Sequence, residues 1–292
     1  MYIALDDEDR TLAAWPLLRR PINDDRYDLT SVYGHVGPLT ADGADAGACF
    51  DAILDTMRSE GAVSLFSRMH PVLDQRLPET WRGEPAGRVV IIDASDPASV
   101  VQSYRTDHRQ GIARARGRGL TVRQRSGSDA VTLFHQIYSE AMVDLDAKEF
   151  YFFDSDYFHG LTAAQDFDVT ILFAEFEGQT VSASMFITTG EIMQYYLSGT
   201  RPAYRALAAA KVLIAEAHQR AVETGVRWLV LGGGLGSRED GLFAFKRGFS
   251  GLTAPFHLTR RVLNPQVYAN LCRAAGVDPE ATVFFPAYRQ VA

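Results

Sequence analysis

The fold is decided by three apolar segments, DVTILFAEF (168–176), TVSASMFIT (180–188) and IMQYYLSG (192–199), which follow one another with only short turns between them. Apolar runs bounded by glycine-containing turns predict strands, and three-residue connections predict that consecutive strands pair antiparallel. Apolar residues then recur at helical spacing from about 203 to 224, and VRWLVLGGG (226–234) has the composition of a buried strand. The predicted order is therefore strand, strand, strand, helix, strand.

Weaker patterns extend this block in both directions. Gly61 stands at the usual C-cap position of a helix predicted at 49–60. Asp96-Pro97 combines an N-cap residue with a proline in the first helical turn and predicts the start of another helix. Strands are predicted at 29–39, 62–69, 87–93 and 255–262, and helices at 49–60, 96–117, 129–145, 240–247 and 265–275. In the helix at 96–117, His108 falls in the apolar stripe and is expected to be buried.

Composition excludes several classes of protein. A chain of 292 residues that is 47% hydrophobic can form one long domain or two compact ones. The net charge of -7 argues against coating nucleic acid by bulk charge, although a local basic stripe could still contact RNA. Cys49 and Cys272 lie far apart without a CxxC motif, so neither a zinc cluster nor a disulfide framework is expected. The acidic start and the absence of a long apolar run predict a soluble, cytoplasmic protein without a membrane span.

Two loops suggest ligand chemistry. The glycine run in LGGGLGSREDG (231–241) resembles a dinucleotide-binding turn, but the leading strand-helix-strand unit and the later acidic residue of that fingerprint are missing. A tight turn or close backbone packing is the alternative. The turn SGTRPAYRALAAAK (198–211) precedes the long helix, where backbone N–H groups could hold a diphosphate. Pro202 removes one of these donors and Tyr204 would crowd a phosphate, so the turn is poorly suited to coenzyme A.

Positive charge is concentrated in two places. Lys246, in FAFKRGF (243–249), is either a solvated lysine of an amphipathic helix or an ammonium that stabilises negative charge in a cleft. The stretch from 105 to 125 is basic, and it is either a solvated helix face or a surface that contacts phosphates.

Several segments together resemble the Fem-type aminoacyl-tRNA-dependent transferases of the GNAT superfamily. They occur in order over nearly the whole chain: SVYGHVGPL (31–39), FSRMHPVL (66–73), HRQGIARARGRGL (108–120), EFYFF (149–153), YYLSGTRPAYR (195–205), LGGG…EDGLFAFKRGF (231–249) and FFPAYR (284–289). The predicted strand and helix order is also that of the GNAT fold. The resemblance implies an α/β (α+β) chain of two tandem GNAT-like domains around mixed, mostly antiparallel sheets. We assign residues 1–107 plus 264–292 to the first, degraded domain, and residues 108–263 to the second domain, which carries the main site.

The same resemblance implies transfer of an aminoacyl group from aminoacyl-tRNA to an acceptor amine, with no metal and no cofactor. A Phe-Lys pair lies near the catalytic centre of Fem-type enzymes, so Lys246 is expected to be catalytic. The expected substrate-binding residues are Phe245, Arg247, Tyr33, His35, Arg68, His70, Tyr151, Tyr196 and Ser198. The expected tRNA-binding residues are Arg109, Arg114, Arg116 and Arg118.

The acceptor departs from the family pattern. Cell-wall members carry an arginine in a segment that corresponds here to SEAMVDLDAKEFYF (139–152), which contains none. This favours a small peptide or natural-product amine over a peptidoglycan precursor. Two alternatives stay open at this stage: an acyl-CoA-dependent N-acyltransferase, and a GNAT-like scaffold that binds a partner without catalysis.

Overall fold

The computed structural model describes residues 1–73, 77–97 and 99–290. The chain forms two compact units, one of residues 1–87 with 254–292 and the other of residues 88–253. The predicted domains follow the same interleaved order along the chain. Their limits, at 107/108 and 263/264, stay a prediction.

Thirteen strands and nine helices occur in the described residues. The strands are β1 (Tyr2–Leu5), β2 (Thr11–Trp15), β3 (Leu18–Asn23), β4 (Arg26–Thr30), β5 (Leu39–Thr40), β6 (Ala62–Arg68), β7 (Glu84–Asp93), β8 (Thr121–Arg125), β9 (Asp168–Phe176), β10 (Gln179–Thr189), β11 (Ile192–Thr200), β12 (Trp228–Gly232) and β13 (Thr253–Val262). The helices are α1 (Ala46–Ser59), α2 (Glu79–Arg82), α3 (Ser99–Gln102), α4 (Thr106–Gly117), α5 (Ser128–Asp144), α6 (Ser155–Ala163), α7 (Ala209–Glu223), α8 (Gly241–Lys246) and α9 (Pro265–Ala274). Short 3-10 turns occupy Glu149–Tyr151, Pro202–Leu207, Leu235–Ser237 and Ala287–Arg289.

The unit of residues 88–253 contains the predicted central block. Its strands follow the order β7-β12-β11-β10-β9-β8, in which β11 and β12 are parallel and the other pairs are antiparallel. α7 packs on one face of this sheet, where its buried side chains join those of β9, β10 and β12 in one apolar cluster. α5 packs against β11 and β10. The three meandering strands, the helix and the further strand are confirmed within one or two residues, apart from the start of the helix.

The other unit has a shorter version of the same arrangement. Its strands β3-β4-β6-β13 are neighbours in that order, β4 and β6 are parallel, and the remaining pairs are antiparallel. α1 connects the two parallel strands, as α7 connects β11 and β12 in the larger unit. A second, three-stranded sheet has the order β1-β2-β5. The core of this unit is mostly aliphatic and contains the aromatic side chains of Trp15, Tyr27, Phe50 and Trp81. The predicted GNAT-like, mixed and mostly antiparallel fold is confirmed.

The structure corrects several predicted elements. Residues 29–39 do not form one strand, because β4 ends at Thr30 and the chain then turns through Gly34 and Gly37, which have φ angles of 98° and 61°. The helix predicted at 96–117 is divided into α3 and α4, and its residue 98 lies outside the described residues. The long helix begins at Ala209 rather than near 203. The elements β1, β2, β3, α2, β8 and α6 were not predicted from the sequence.

The described helices include none that is both long and apolar enough to cross a bilayer.

A buried carboxylate connects the end of the chain to β3 and β4. The side chain of Asp28 has 0% exposure and lies 2.5 Å from Nε of Arg20 and 2.5 Å from Nε of Arg289. The hydroxyl of Tyr288 donates to the same carboxylate at 3.2 Å. A buried charge that loses its partners is strongly destabilising, so this cluster fixes residues 287–289 to the sheet.

We therefore expect Asp28→Asn to lower the free energy of unfolding by about 3 kcal/mol, because the ion pairs between the buried carboxylate and two partly exposed arginines are lost. Urea denaturation followed by circular dichroism measures the loss. The exposed Asp24→Asn is the matched control and should change stability by less than about 0.5 kcal/mol. Equal losses in the two variants would contradict the role given to Asp28.

Candidate functional site

Two neighbouring parallel strands separate at one edge of the larger sheet. Pairing between β11 and β12 covers Ile192–Gln194 and Trp228–Val230, whereas β11 continues along β10 to Thr200. The register of β10 and β11 shifts between Met185 and Phe186, which leaves Tyr196 as the extra residue of a bulge. Because the strands are parallel, their carboxyl ends lie at the same edge. Ligands of open α/β sheets commonly bind at such an edge.

Lys246 lies at the end of β12. It is the last residue of α8, has 8% exposure, and donates from Nζ to the carbonyl of Gly233 at 2.7 Å. Burial lowers the pKa of Lys246 to about 8, and the negative charge of Asp240 opposes the shift. The alternative of a solvated lysine on an amphipathic helix therefore does not apply.

The glycine run holds this lysine at close range. A Cβ on Gly232 would lie 3.3 Å from Nζ of Lys246, and a Cβ on Gly234 would overlap Asp240 and the carbonyl of Arg238. Asp240 caps α8 by accepting from the N–H of Phe243 at 3.0 Å and also accepts from the N–H of Leu235 at 2.9 Å. The glycines of this run therefore allow close packing around Lys246 and Asp240. Close backbone packing was the alternative to a dinucleotide-binding turn.

The two residues beside Lys246 have different surroundings. Phe245 is half-buried and packs against the apolar cluster under α7. The guanidinium of Arg247 donates to the carbonyls of Ser250, at 3.2 Å, and Gly251. It therefore stabilises the turn that follows α8.

A row of hydroxyl groups follows β10 and β11. Ser184 donates to Ser198 at 3.0 Å, and Tyr195, whose pKa is raised by burial, bonds to both serines. Sequence analysis named Ser198 but missed Ser184 and Tyr195. The register of β10 and β11, with Ser184 opposite Ser198, is the signal that groups them. Ser184 has 0% exposure, so in this row only the half-buried Tyr195 and Ser198 could reach a ligand.

Tyr196 and Tyr151 lie near α6. The hydroxyls of Tyr196 and Tyr157 are hydrogen-bonded to each other, and Tyr157 stacks on Phe153 with ring centroids 4.5 Å apart. The carbonyl of Tyr151 accepts from the hydroxyl of Tyr138 at 2.8 Å. These contacts join the aromatic side chains of this region to one another. That Tyr151 and Tyr196 bind substrate stays a prediction.

The other expected acceptor residues belong to the smaller unit, where they are close together. The N–H groups of Val36 and Gly37 donate to the carbonyl of Arg68 at 3.1 and 3.0 Å, which brings the loop of Tyr33 and His35 to the end of β6. The ring of His35 packs edge-on against Phe256 at 4.9 Å.

His70 is buried just beyond this point, and burial lowers its pKa to about 4. Its Nδ1 accepts from the N–H groups of Val72 and Leu73 at 3.2 and 3.3 Å, so the proton of the neutral ring is on Nε2. His70 is therefore a neutral donor and not a base near neutral pH.

The arginines of the predicted RNA surface are exposed on α4 or just after it. Arg109 donates to the carbonyl of Tyr104 at 2.8 Å, Arg116 lies 3.6 Å from Glu216, and Arg118 lies over the ring of Phe176 at 5.7 Å. Arg114 is exposed on the same helix. These contacts hold the guanidinium groups at the surface, where phosphates could reach them.

The turn before α7 is closed by internal contacts. Arg201 forms an ion pair with Glu140 at 3.1 Å, and Arg205 forms one with Asp144. The N–H groups of Arg201, Tyr204 and Ala208 donate to protein carbonyls, and Pro202 has no N–H. An open groove of about 900 Å³ beside Pro202 is lined by both carboxylates. Both arginines and these three N–H groups are therefore already paired within the protein.

In the described residues, no group of three or more histidine, cysteine, aspartate or glutamate side chains is arranged to hold a metal ion.

Comparison with known proteins gives a consistent fold. Residues 102–247, half of the chain, match the family model described as acetyltransferase (GNAT) domain. The crystal structure of FemX is similar with a TM-score of 0.70 and 14% identity, over 91% of this chain and 89% of that one. The expected likeness to Fem-type proteins is thereby confirmed for the fold. A comparison of the sequence with curated proteins finds no match.

Lysylphosphatidylglycerol synthetases are also similar. The C-terminal domain of a putative synthetase from Agrobacterium fabrum has a TM-score of 0.61 and 15% identity, over 94% of this chain and 87% of that one. The enzyme from Bacillus licheniformis has the same TM-score and identity, over 91% and 85%. Identities this low show a shared fold.

The burial of Lys246 has a measurable effect on stability. Its pKa is about 8 in the folded chain and 10.5 in the unfolded one, so the neutral lysine contributes stability above pH 10.5 that is lost as the pH falls through 8. Lys246→Met removes this cost, which at pH 7 is about 3 kcal/mol. We expect the stability of the variant relative to wild type to decrease by about 2 kcal/mol from pH 7 to about pH 9.5. Urea denaturation at both pH values measures it, and a pH-independent difference would show that the lysine is not buried.

Proposed function

Because this chain belongs to the acetyltransferase (GNAT) domain family, we propose that it is an acyltransferase whose donor is an aminoacyl-tRNA and whose acceptor is an amine. The observation that carries the proposal is the buried ammonium of Lys246 at the end of β12, combined with a turn before α7 that does not fit a diphosphate. The first supplies a charge for acyl transfer, and the second disfavours the donor that most acetyltransferases use. Two similar structures are named for lysylphosphatidylglycerol, a product that contains an aminoacyl group, which supports the same donor class.

The reaction forms one bond and breaks another. The nitrogen of the acceptor amine attacks the ester carbonyl carbon of the aminoacyl-tRNA, and the tetrahedral intermediate collapses with cleavage of the carbon–oxygen bond to the ribose. The proton lost by the amine ends on the departing ribose oxygen. The products are an amide and free tRNA, and no oxidant or nucleotide is consumed.

We assign to Lys246 the stabilisation of the negative charge that develops in this intermediate. An ammonium has three N–H donors, and the carbonyl of Gly233 accepts one of them. The others are assigned to the carbonyl oxygen of the ester or to the leaving ribose oxygen. In a site with little water such a contact is stronger than in solution, because the local dielectric is low.

The exposed arginines on and after α4 are assigned to the RNA. Arg109, Arg114, Arg116 and Arg118 would contact phosphates, which provide affinity without sequence readout. Tyr33, His35, Arg68 and His70 of the smaller unit are assigned to the acceptor, and Tyr151, Tyr196 and Ser198 of the larger unit are assigned to substrate binding. Apart from Arg68, these residues supply aromatic rings and hydroxyl groups, which suit a small peptide or natural-product amine.

The catalytic assignment is tested by replacing single lysines. Lys246→Ala should lower kcat for transfer from a pool of radiolabelled aminoacyl-tRNAs by about 10²–10³, because an oxyanion donor is lost. The exposed Lys148→Ala is the matched control and should leave the rate unchanged. Turnover that survives Lys246→Ala would remove the assignment. Absence of turnover with every charged tRNA, for a folded protein, would favour a non-catalytic scaffold.

The donor class is tested by calorimetry with acetyl-CoA. We expect no binding at micromolar concentration, because the two arginines of the turn are paired and three of its N–H groups already donate to protein carbonyls. In the double variant Glu140→Gln/Asp144→Asn the arginines lose their partners, and any affinity for the diphosphate should rise. Micromolar binding to the unmodified protein would favour the acyl-CoA-dependent alternative instead.

A further inference from the structure

The chain that leads into α4 holds the turn that carries Lys246. The hydroxyl of Ser103 donates to the carbonyl of Phe249 at 3.0 Å, and the N–H of Arg105 donates to the carbonyl of Gly248 at 2.8 Å. Nε2 of His108 lies 2.9 Å from the carbonyl of Phe245, the residue before Lys246. Three contacts from six consecutive residues thus fix the end of α8 and the turn after it.

His108 is the inner member of this set. It has 1% exposure, and its ring packs against Phe249 and Phe245 with centroids 4.6 and 5.5 Å away. Nδ1 lies 3.0 Å from the carboxylate of Asp107, which also lies 3.4 Å from Nζ of Lys211 on α7. The carbonyl of Phe245 and the carboxylate of Asp107 can only accept, so each contact is a hydrogen bond only when the facing nitrogen carries a proton. Burial lowers the pKa of His108, and the hydrogen bonds to Asp107 and to the carbonyl of Phe245 oppose this shift. The two contacts lie on opposite sides of the ring and direct Nε2 towards α8.

Gly248 provides the space for this contact. A Cβ at residue 248 would overlap Nε2, Cε1 and Cδ2 of His108. No rearrangement of a flexible side chain end relieves such an overlap, because the imidazole is enclosed by the two phenylalanines. His108 and Gly248 are therefore a matched pair, 140 positions apart in sequence.

We propose that His108 is a positioning residue: by bonding the carbonyl of Phe245, it fixes the last turn of α8 and with it the location of the Lys246 ammonium. The effect on transfer rests on the proposed function of Lys246, whereas the effect on the lysine itself does not. His108 makes no contact with substrate in this assignment. It acts through the backbone.

Two variants of similar chemistry and different reach test the contact. The amide nitrogen of His108→Gln can occupy the place of Nε2 and donate to Phe245, whereas that of His108→Asn reaches only the place of Nδ1. We expect kcat for transfer to fall roughly 100-fold in His108→Asn, because small misplacements of reacting groups have effects of that size. The KM for charged tRNA should stay within about twofold. His108→Gln should recover most of kcat, and equal kcat values for the two variants would overturn the proposal.

A second measurement does not depend on turnover. The chain contains three lysines, Lys148, Lys211 and Lys246, so the 13Cε signals of lysine-labelled protein can be assigned by single replacements and titrated by NMR. In the wild type and His108→Gln the Lys246 signal should titrate near pH 8, held there by burial against the opposing charge of Asp240. In His108→Asn and in Gly248→Ala it should titrate at a higher pH, because the ammonium is released towards water. The signal of the exposed Lys148 should be the same in all four proteins.

The outcomes separate the two proposals. An unchanged Lys246 titration in folded His108→Asn and Gly248→Ala overturns the positioning role, whatever the transfer rates are. A wild type that transfers from no charged tRNA, with a Lys246 titration that shifts as described, overturns the proposed function and supports the positioning role. Gly248→Ala introduced into His108→Ala, where the imidazole is gone, should shift the titration by less than it does beside His108.

Discussion

The buried ammonium of Lys246 imposes the strictest constraint on the larger unit. A charge at the end of an apolar strand loses most of its hydration, and one carbonyl, that of Gly233, is its described hydrogen-bond partner. The surroundings are built to hold it at close range: glycines at 232 and 234 leave room, Asp240 caps α8 and supplies opposing charge, and His108 fixes the far end of the helix. A core built for stability alone would not bury an ammonium. The loss of stability that this burial causes therefore favours a functional role for Lys246.

The strand separation beside this lysine follows from sheet geometry. β11 and β12 are parallel neighbours that pair over three residues each, and β11 then follows β10 through a bulge. The smaller unit repeats the order with β4, α1 and β6, and its loop of residues 31–38 lies at the corresponding strand ends. One topology thus produces two edges at which side chains from distant parts of the sequence converge. The larger unit presents Lys246 at this edge, and the smaller one presents Arg68, the neutral His70 and aromatic groups.

The charges around the turn before α7 bear on the proposed choice of donor. A helix N-terminus favours anions through its unpaired N–H groups. Here a 3-10 turn with a proline precedes the helix, and Glu140 and Asp144 from α5 neutralise the two nearby arginines. The positive charge that a diphosphate requires is already balanced within the protein. Family membership defines the fold and the acyl-transfer class, whereas the donor depends on these local charges.

The sequence by itself determined the strands and helix between 168 and 232, because alternation, glycine turns and helical spacing are local signals that long, regular segments carry clearly. It also marked His108 as buried and the resemblance to Fem-type transferases. It did not predict β1 and β2, which are only four and five residues long, β3, which contains two arginines and a proline, or the break at 31–38, which depends on contacts with Arg68. Only the tertiary structure decided that Lys246 is buried, that Ser184 faces Ser198, and that His108 bonds Phe245. These relations join residues 13 to 137 positions apart, and no local pattern encodes which distant backbone group a side chain will meet.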